Sequence, residues 1–241
     1  MNEAELNETE TGKPHRLWSP LSRIQRRVAG VLVEKSKTTP SAYPMTINAI
    51  KVACNQKSNR SPQMTLNEEE VEDTLYDLRH MGAVIEVHAG GRMPKYKHQL
   101  YEWFGVEKAE LAVMAELLLR GEQSMGDLRA RVARMEKISG LEELKPIVNG
   151  LLEKELMVEI TPPGRGQIVT HNVYQPEELE RIRGNFVGGA PPARTASHVS
   201  QGDAAPSDQG SSRKIDELES QIEKLWQTVN QLRAELDEIK S

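Results

Sequence analysis

The sequence predicts a mainly α-helical protein with small β-hairpins, an α+β class, on three observations. One unit recurs at a spacing of 73 residues, apolar helical stripes precede each copy, and a heptad run closes the chain. The repeat is read by setting residues 75–101 over those 73 positions later. Leu75 falls on Val148, Leu78 on Leu151, and Val84-Ile85-Glu86-Val87 on Met157-Val158-Glu159-Ile160. Gly91-Arg92 then meets Gly164-Arg165, His98 meets His171 and Tyr101 meets Tyr174, with no gap. Such self-similarity defines one supersecondary unit used twice.

Each element has a local cause. Leu21, Ile24, Val28, Val31 and Leu32 form an amphipathic helical stripe, answered in the second copy by Leu111, Met114, Leu117 and Leu118 before Gly121. Thr46 is placed to start a second helix over 47–56, and Ser124 its counterpart over 127–135. Asn67 caps a third helix whose first turn holds Glu68, Glu69 and Glu70, negative charge at the positive end of the dipole. Val71, Leu75, Leu78 and Met81 line that helix, and Gly82 stops it. Residues 83–88 read as a strand, Gly90-Gly91 as a tip and 95–101 as the returning strand. The second copy gives a helix over 141–156, a strand over 157–161, a tip over 162–166 and a return over 167–174. Pro146 predicts a late start or a kink in that helix.

Aligning Val31 with Leu117 takes a shift of 86, so the first copy holds about 13 extra residues between Pro40 and Met64. Three helices followed by a two-stranded hairpin are the winged-helix variant of the helix-turn-helix. The expected organisation is a disordered acidic N-terminus (1–18), winged-helix domains at 19–104 and 105–183, a flexible linker (184–212) and a coiled coil (213–241).

The linker reading rests on Gly, Ala, Pro and Ser with almost no large apolar residue. Beyond it Ile215, Leu218, Ile222, Leu225, Val229, Leu232, Leu236 and Ile239 alternate in steps of three and four. With Ile215 at a, Lys214 would face Glu219 of a partner and Glu235 would face Lys240, which favours a parallel two-stranded coil and self-association through 213–241. A helix folding back on the body, or pairing with a different protein, fits the same pattern.

Composition narrows the function. No run of 18 apolar residues is present, so no membrane span is expected. Glu3, Glu5, Glu8 and Glu10 occupy the place where a secretory signal needs basic residues, and the chain is expected in the cytoplasm. Cys54 is the single cysteine, read as a small buried apolar residue. The net charge of -5 divides into -2 for residues 1–18 (four Glu against Lys13 and Arg16), -1 for 185–212 (one base, two acids) and -2 for 213–241 (five bases, seven acids), leaving 19–184 neutral.

No Walker-type loop, Gly-x-Ser-x-Gly elbow, His-Glu-x-x-His or Cys/His metal spacing occurs, so no enzyme, cofactor or metal is expected. His98 and His171 hold equivalent positions and are read as sharing a structural hydrogen bond at the strand rather than forming a paired site. Thr38, Thr39 and Ser124 are read as capping groups.

The cationic candidates are Lys51, Lys57 and Arg60, in a stretch of 45–65 free of acids and rich in Asn and Gln, and Arg92, Lys95 and Lys97 at the first hairpin. Such residues can bond phosphates or base edges, or simply solvate a surface. Arg165 at the second tip, and Arg129, Arg131, Arg134 and Lys137 around the second copy's second helix, add to them. Against duplex reading stands the third helix of the first copy, where six acids between Glu68 and Asp77 are offset only by Arg79.

The stretches Val33-Glu34-Lys35, Thr38-Thr39-Pro40, Tyr43-Pro44, Asn48 and Ala53-Cys54-Asn55-Gln56-Lys57-Ser58-Asn59-Arg60-Ser61-Pro62 resemble the YceH-like family of uncharacterised bacterial proteins. Leu117-Leu118-Leu119-Arg120-Gly121 and Leu128-Arg129-Ala130-Arg131 extend the likeness, which spans roughly residues 20–180. The resemblance implies a pair of winged helices. It carries no catalytic or binding residues, since the family's molecular function is not established; the longer acidic N-terminus and linker depart from its pattern. The leading expectation is a non-enzymatic protein that associates with DNA or a nucleoprotein complex in a regulatory role. The alternative is a protein-protein interaction module whose acidic third helices form the contact surface.

Overall fold

A computed structural model of the chain describes residues 18–88 and 93–187, all within one unit, residues 1–192. The expectations for residues 1–17, for the first hairpin's tip with Arg92, and for the coiled coil at 213–241 lie outside the described residues. The described part is a mixed helical fold with small antiparallel sheets.

The first copy runs α1 (Arg23–Thr38), a 3-10 turn (Pro40–Ala42), α2 (Ile47–Cys54), α3 (Glu68–His80) and the hairpin β1 (Val84–Val87) and β2 (Lys95–His98). A short helix, α4 (Leu100–Phe104), leads to the second copy: α5 (Lys108–Arg120), β3 (Gln123–Ser124), α6 (Met125–Val132), α7 (Leu141–Glu153), β4 (Met157–Glu159) and β5 (Ile168–His171). Helix α8 (Pro176–Val187) follows. The 73-residue register holds to the residue at both ends of α3 against α7 and of β2 against β5.

The caps explain the starts. Ser22 and Gln25 form a capping box on α1, and Asn67 and Glu70 another on α3, each pair satisfying two orphan backbone donors. Thr46 and Ser124 accept from the amides of Ala49 and Asp127, as their positions predict. Helix α7 starts on time at Leu141 despite Pro146, so the late start does not occur. The second-helix boundaries come out shorter or earlier than expected, α2 ending at Cys54 and α6 spanning 125–132. The returning strand of the first hairpin stops at His98, because Leu100, Trp103 and Phe104 fall at helical spacing and turn inward as α4. Gly105, at φ 64°, closes that helix in the left-handed conformation a glycine adopts without strain.

The segment before the second helix of each copy pairs with the returning strand, as an isolated bridge in the first copy and as β3 in the second, which the sequence did not announce. Met45 exchanges two backbone hydrogen bonds with Tyr96 at 3.1 and 2.8 Å, and Gln123 pairs with Val169, 73 positions on from Tyr96. The repeat therefore extends to the residues just before α2 and α6. The extra residues of the first copy divide in two: the offset between copies falls from 86 at Val31 to 78 at the start of α2 and 73 at the start of α3.

The largest departure from expectation is at the centre. Nine consecutive residues of α1, Arg26 to Glu34, and ten of α5, Glu110 to Leu119, are buried, so both helices are covered on every side rather than along one stripe. They pack against each other, and one apolar core runs through both copies. The approach is close at Gly30, where an added Cβ would lie 2.9 Å from Cγ of Leu119 and 3.2 Å from Cβ of Leu118.

Candidate functional site

Two acids inside apolar helices organise the contact between the copies. Glu34 on α1 accepts from Arg60 through both oxygens, Nη1–Oε1 at 3.1 Å and Nη2–Oε2 at 2.5 Å, and its Oε1 also binds Arg134. Arg134 reaches on to Glu116 of α5 at 2.8 Å, and Glu116 holds Nε of Arg120 at 2.9 Å. Arg120 then donates to Oδ1 of Asn59, the neighbour of Arg60, at 2.5 Å, which closes the circuit. Five charged side chains from four segments are thus linked in a ring. Burial alone would raise the Glu34 carboxyl, but hydrogen bonds from Arg60 and Arg134 and their charges hold it below its ordinary 4.5.

The loop carrying Arg60 is pinned by the backbone as well. Ser61 N–H donates to the carbonyl of Leu119 at 2.9 Å, while Arg27 on α1 donates to the carbonyls of Cys54 and Pro62 at 3.1 and 2.7 Å. Asn59 supplies the left-handed turn, φ 59°, that aims this loop at α5, and asparagine adopts that conformation more readily than most residues. Cys54 is buried and free, as read, and burial pushes its thiol up to about 12.

The cationic candidates are therefore not one surface. Arg60, proposed from sequence to meet nucleic acid, is buried, and its guanidinium is committed to Glu34, Gln56 and the carbonyls of Ala53 and Asn59; that reading is corrected. Arg134 is drawn into the same ring, and Arg131 donates to Gln123 at 2.7 Å. Lys51 pairs with Glu68 of α3 at 2.9 Å in an exposed contact, a pairing that contributes about 0–1 kcal/mol. Lys57 is exposed, and Lys95 and Lys97 are half-buried on β2, paired across the hairpin with Val87 and Ile85. Arg92 lies outside the described residues.

The outward side of α3 has a different character. Glu68, Glu69, Glu72, Asp73 and Asp77 are exposed, and among them Tyr76 leaves 60% of its surface uncovered. Its ring lies 4.1 Å from that of His80, whose Nδ1 is 2.9 Å from the Tyr76 carbonyl. The buried face of the helix is Val71, Thr74, Leu75 and Leu78.

The equivalent histidines share a neighbour, not a hydrogen bond. His98 sits 3.2 Å from Oγ of Ser36, accepts from Leu100 N–H at 3.4 Å and lies 5.7 Å, ring to ring, from Tyr101. His171 is enclosed 3.8 Å from the ring of Tyr174, and its Nδ1 has no partner among the described residues. Burial lowers His98 to about 4, helped by Lys37, and lowers His171 well below 6.5, helped by Arg26. A histidine whose folded value is depressed contributes stability above its ordinary value, lost progressively as the unfolded chain takes up the proton. Stability should fall from pH 6.5 towards about 4, and urea titrations of His98→Asn should show a shallower fall. An unchanged slope would remove His98 from that role.

No group of three or more His, Cys, Asp or Glu residues is placed to hold a metal among the described residues. Nor is any described helix long and apolar enough to cross a membrane.

Residues 21–165 match the family described as "Protein of unknown function, DUF480". A UPF0502 protein of Rhodopirellula baltica is 41% identical over 223 residues, covering 91% of each chain. A second, from Geotalea uraniireducens, is 37% identical over 92% of this chain and 97% of its own. A third, from Saccharophagus degradans, is 35% identical over 91% and 96%. The chain belongs to this DUF480/UPF0502 family of uncharacterised bacterial proteins.

Proposed function

We propose that the chain is a non-enzymatic tandem winged-helix protein that works as a protein-interaction module, with the exposed face of α3 as its contact surface. The duplicated order of three helices and a hairpin, with the segment before the second helix paired at Tyr96 and Val169, supports the winged-helix assignment. The likeness to the YceH-like family agrees with it.

One observation carries the interaction reading: the helix a winged helix would lay in the major groove presents five exposed acids together with an exposed Tyr76. Phosphates would repel such a face, since duplex affinity comes from cations that release counterions. An exposed aromatic on an acidic helix suits a protein surface with an apolar pocket and a basic rim. Self-association through 213–241 and a cytoplasmic location complete the proposal.

A second reading, association with DNA or a nucleoprotein complex in a regulatory role, draws on Lys57, Lys95 and Lys97, which form no ion pair among the described residues. Fluorescence anisotropy separates the two. A labelled Lys/Arg-rich peptide bearing one tryptophan should bind the full chain, weaken about tenfold with Tyr76→Ala and be lost with Glu69→Lys/Glu72→Lys/Asp73→Lys. Random-sequence duplex should show little affinity at ~50 mM salt. Strong duplex binding that drops by about 10³ or more at ~200 mM would overturn the interaction reading in favour of the second.

A further inference from the structure

At the start of α1, a cleft of about 160 Å3 opens between the two copies. Three of the arginines on it are committed to other groups. Arg26 donates to Glu178 and to the Leu21 carbonyl, Arg27 donates to the carbonyls of Cys54 and Pro62, and Arg120 pairs with Glu116. The fourth, Arg23, is exposed and forms no ion pair among the described residues. Glu122, exposed on the same cleft, forms none there either. Between these two charges the cleft offers apolar surface: Pro62 is exposed, Met64 and Ile182 are half-buried, and Leu118 lies deeper.

The chain enters the described fold beside this cleft. Trp18 is buried, and Leu21 N–H donates to the carbonyl of Val173, the neighbour of Tyr174 on the cleft wall. Residues before Trp18 therefore begin close to Arg23, five positions further on. Their side chains come in an order that matches the cleft. Glu3, Glu5, Glu8 and Glu10 surround Leu6, and Lys13 and Arg16 follow nearer the body. Carboxylates suit Arg23, the two cations suit Glu122, and a leucine suits the apolar wall between them.

We propose that residues 3–10 of this same chain occupy the cleft, with Leu6 against Pro62, Met64 and Ile182, a glutamate on Arg23, and Lys13 or Arg16 on Glu122. The connecting residues 11–17 span up to about 25 Å, enough to bring the acidic run to the cleft. A tether this short sets an effective concentration in the millimolar range, so one leucine and one or two exposed ion pairs suffice. The cleft thus carries its own occupant, which any other ligand must displace. The α3 face takes no part, and either proposal can fail without the other.

The test places a nitroxide on Asn2→Cys in the full chain; Cys54, buried with its thiol pushed up to about 12, is not labelled. Asn2 stands sixteen residues before Trp18, a reach of about 50 Å, so an undocked segment would spread its effect over the surface. In isotope-labelled protein, paramagnetic broadening should instead concentrate on the amides of Arg23, Met64, Glu122 and Ile182. Leu6→Ser should weaken docking about tenfold and Arg23→Gln about three- to fivefold, each with the parent's Tm. Broadening spread evenly over the surface, or a pattern that neither substitution changes, would overturn the proposal. When isotope-labelled chains are mixed with separate nitroxide-bearing chains, the cleft amides should stay sharp. Broadening in that mixture would assign the occupant to a second copy and overturn docking by the chain's own segment.

Discussion

Replacing Glu34 by glutamine is expected to destabilise the protein by about 3–5 kcal/mol, read as a lower urea midpoint at pH 7. Glutamine keeps the shape but removes the charge, leaving Arg60 and Arg134 beside a neutral amide. The Arg60 side chain is fully buried and that of Arg134 is only 26% exposed, so water cannot take over. The effect should depend on pH in a definite direction. A carboxyl held below its ordinary 4.5 contributes stability that is full above that value and is lost as pH falls through the folded-state value. Acidification below pH 4.5 should therefore cost the parent more than the variant. Adding Arg60→Met to Glu34→Gln should restore part of the loss, because the second change removes a charge that the first left unpaired. A midpoint for Glu34→Gln within 1 kcal/mol of the parent, about the value of a surface pair, would reduce the ring to an incidental contact.

The second large effect is at the helix crossing. Leu119→Ala should lower stability by about 2–5 kcal/mol, since Leu119 is fully buried and abuts Gly30 of α1. Its signature is in the shape of the transition. With Trp18 and Trp226 replaced by Phe in every variant, Trp103 reports on the first copy, whereas far-ultraviolet circular dichroism reports on the helices of both. With one core through the two copies, the signals should coincide in the parent and in the variant. Gly30→Ala should crowd the parent but recover stability in the Leu119→Ala background, because the new methyl enters the space the leucine left. Separate transitions at the two probes would show that the copies fold independently.

What was legible in the sequence was local. A cap, a glycine stop and alternation place α3 and its hairpin, because each depends on neighbours within a few residues. The 73-residue register carries those placements from one copy to the other. The contact between copies was not legible as such. A stripe such as Leu21, Ile24, Val28 and Val31 says that one face is covered, but cannot say that a second helix covers the opposite face.

The ring had a signal all the same. Glu34 follows Val31-Leu32-Val33, and Glu116 sits between Met114-Ala115 and Leu117-Leu118-Leu119. An acid within an apolar helical run must be paired when it is buried. Read that way, Glu34 and Glu116 ask for arginines, and Arg60 and Arg134 are the ones the fold supplies. The acid-free stretch of 45–65, whose cations suggest a nucleic-acid surface, supplies Arg60 to Glu34 instead.

The burial of α1 on all sides has a consequence during synthesis. Its main partner, α5, begins 85 residues later, at Lys108 against Arg23. At about 5–20 residues per second, a ribosome takes about 4–17 s to make that interval. Throughout it, the surface of α1 that α5 covers is bare, although α2 and α3, which also pack on α1, are already made. Duplication of a local unit usually yields halves that mature one after the other. Here the first half must wait for the second, and the nascent chain is most exposed to chaperones and aggregation while only one copy has been made.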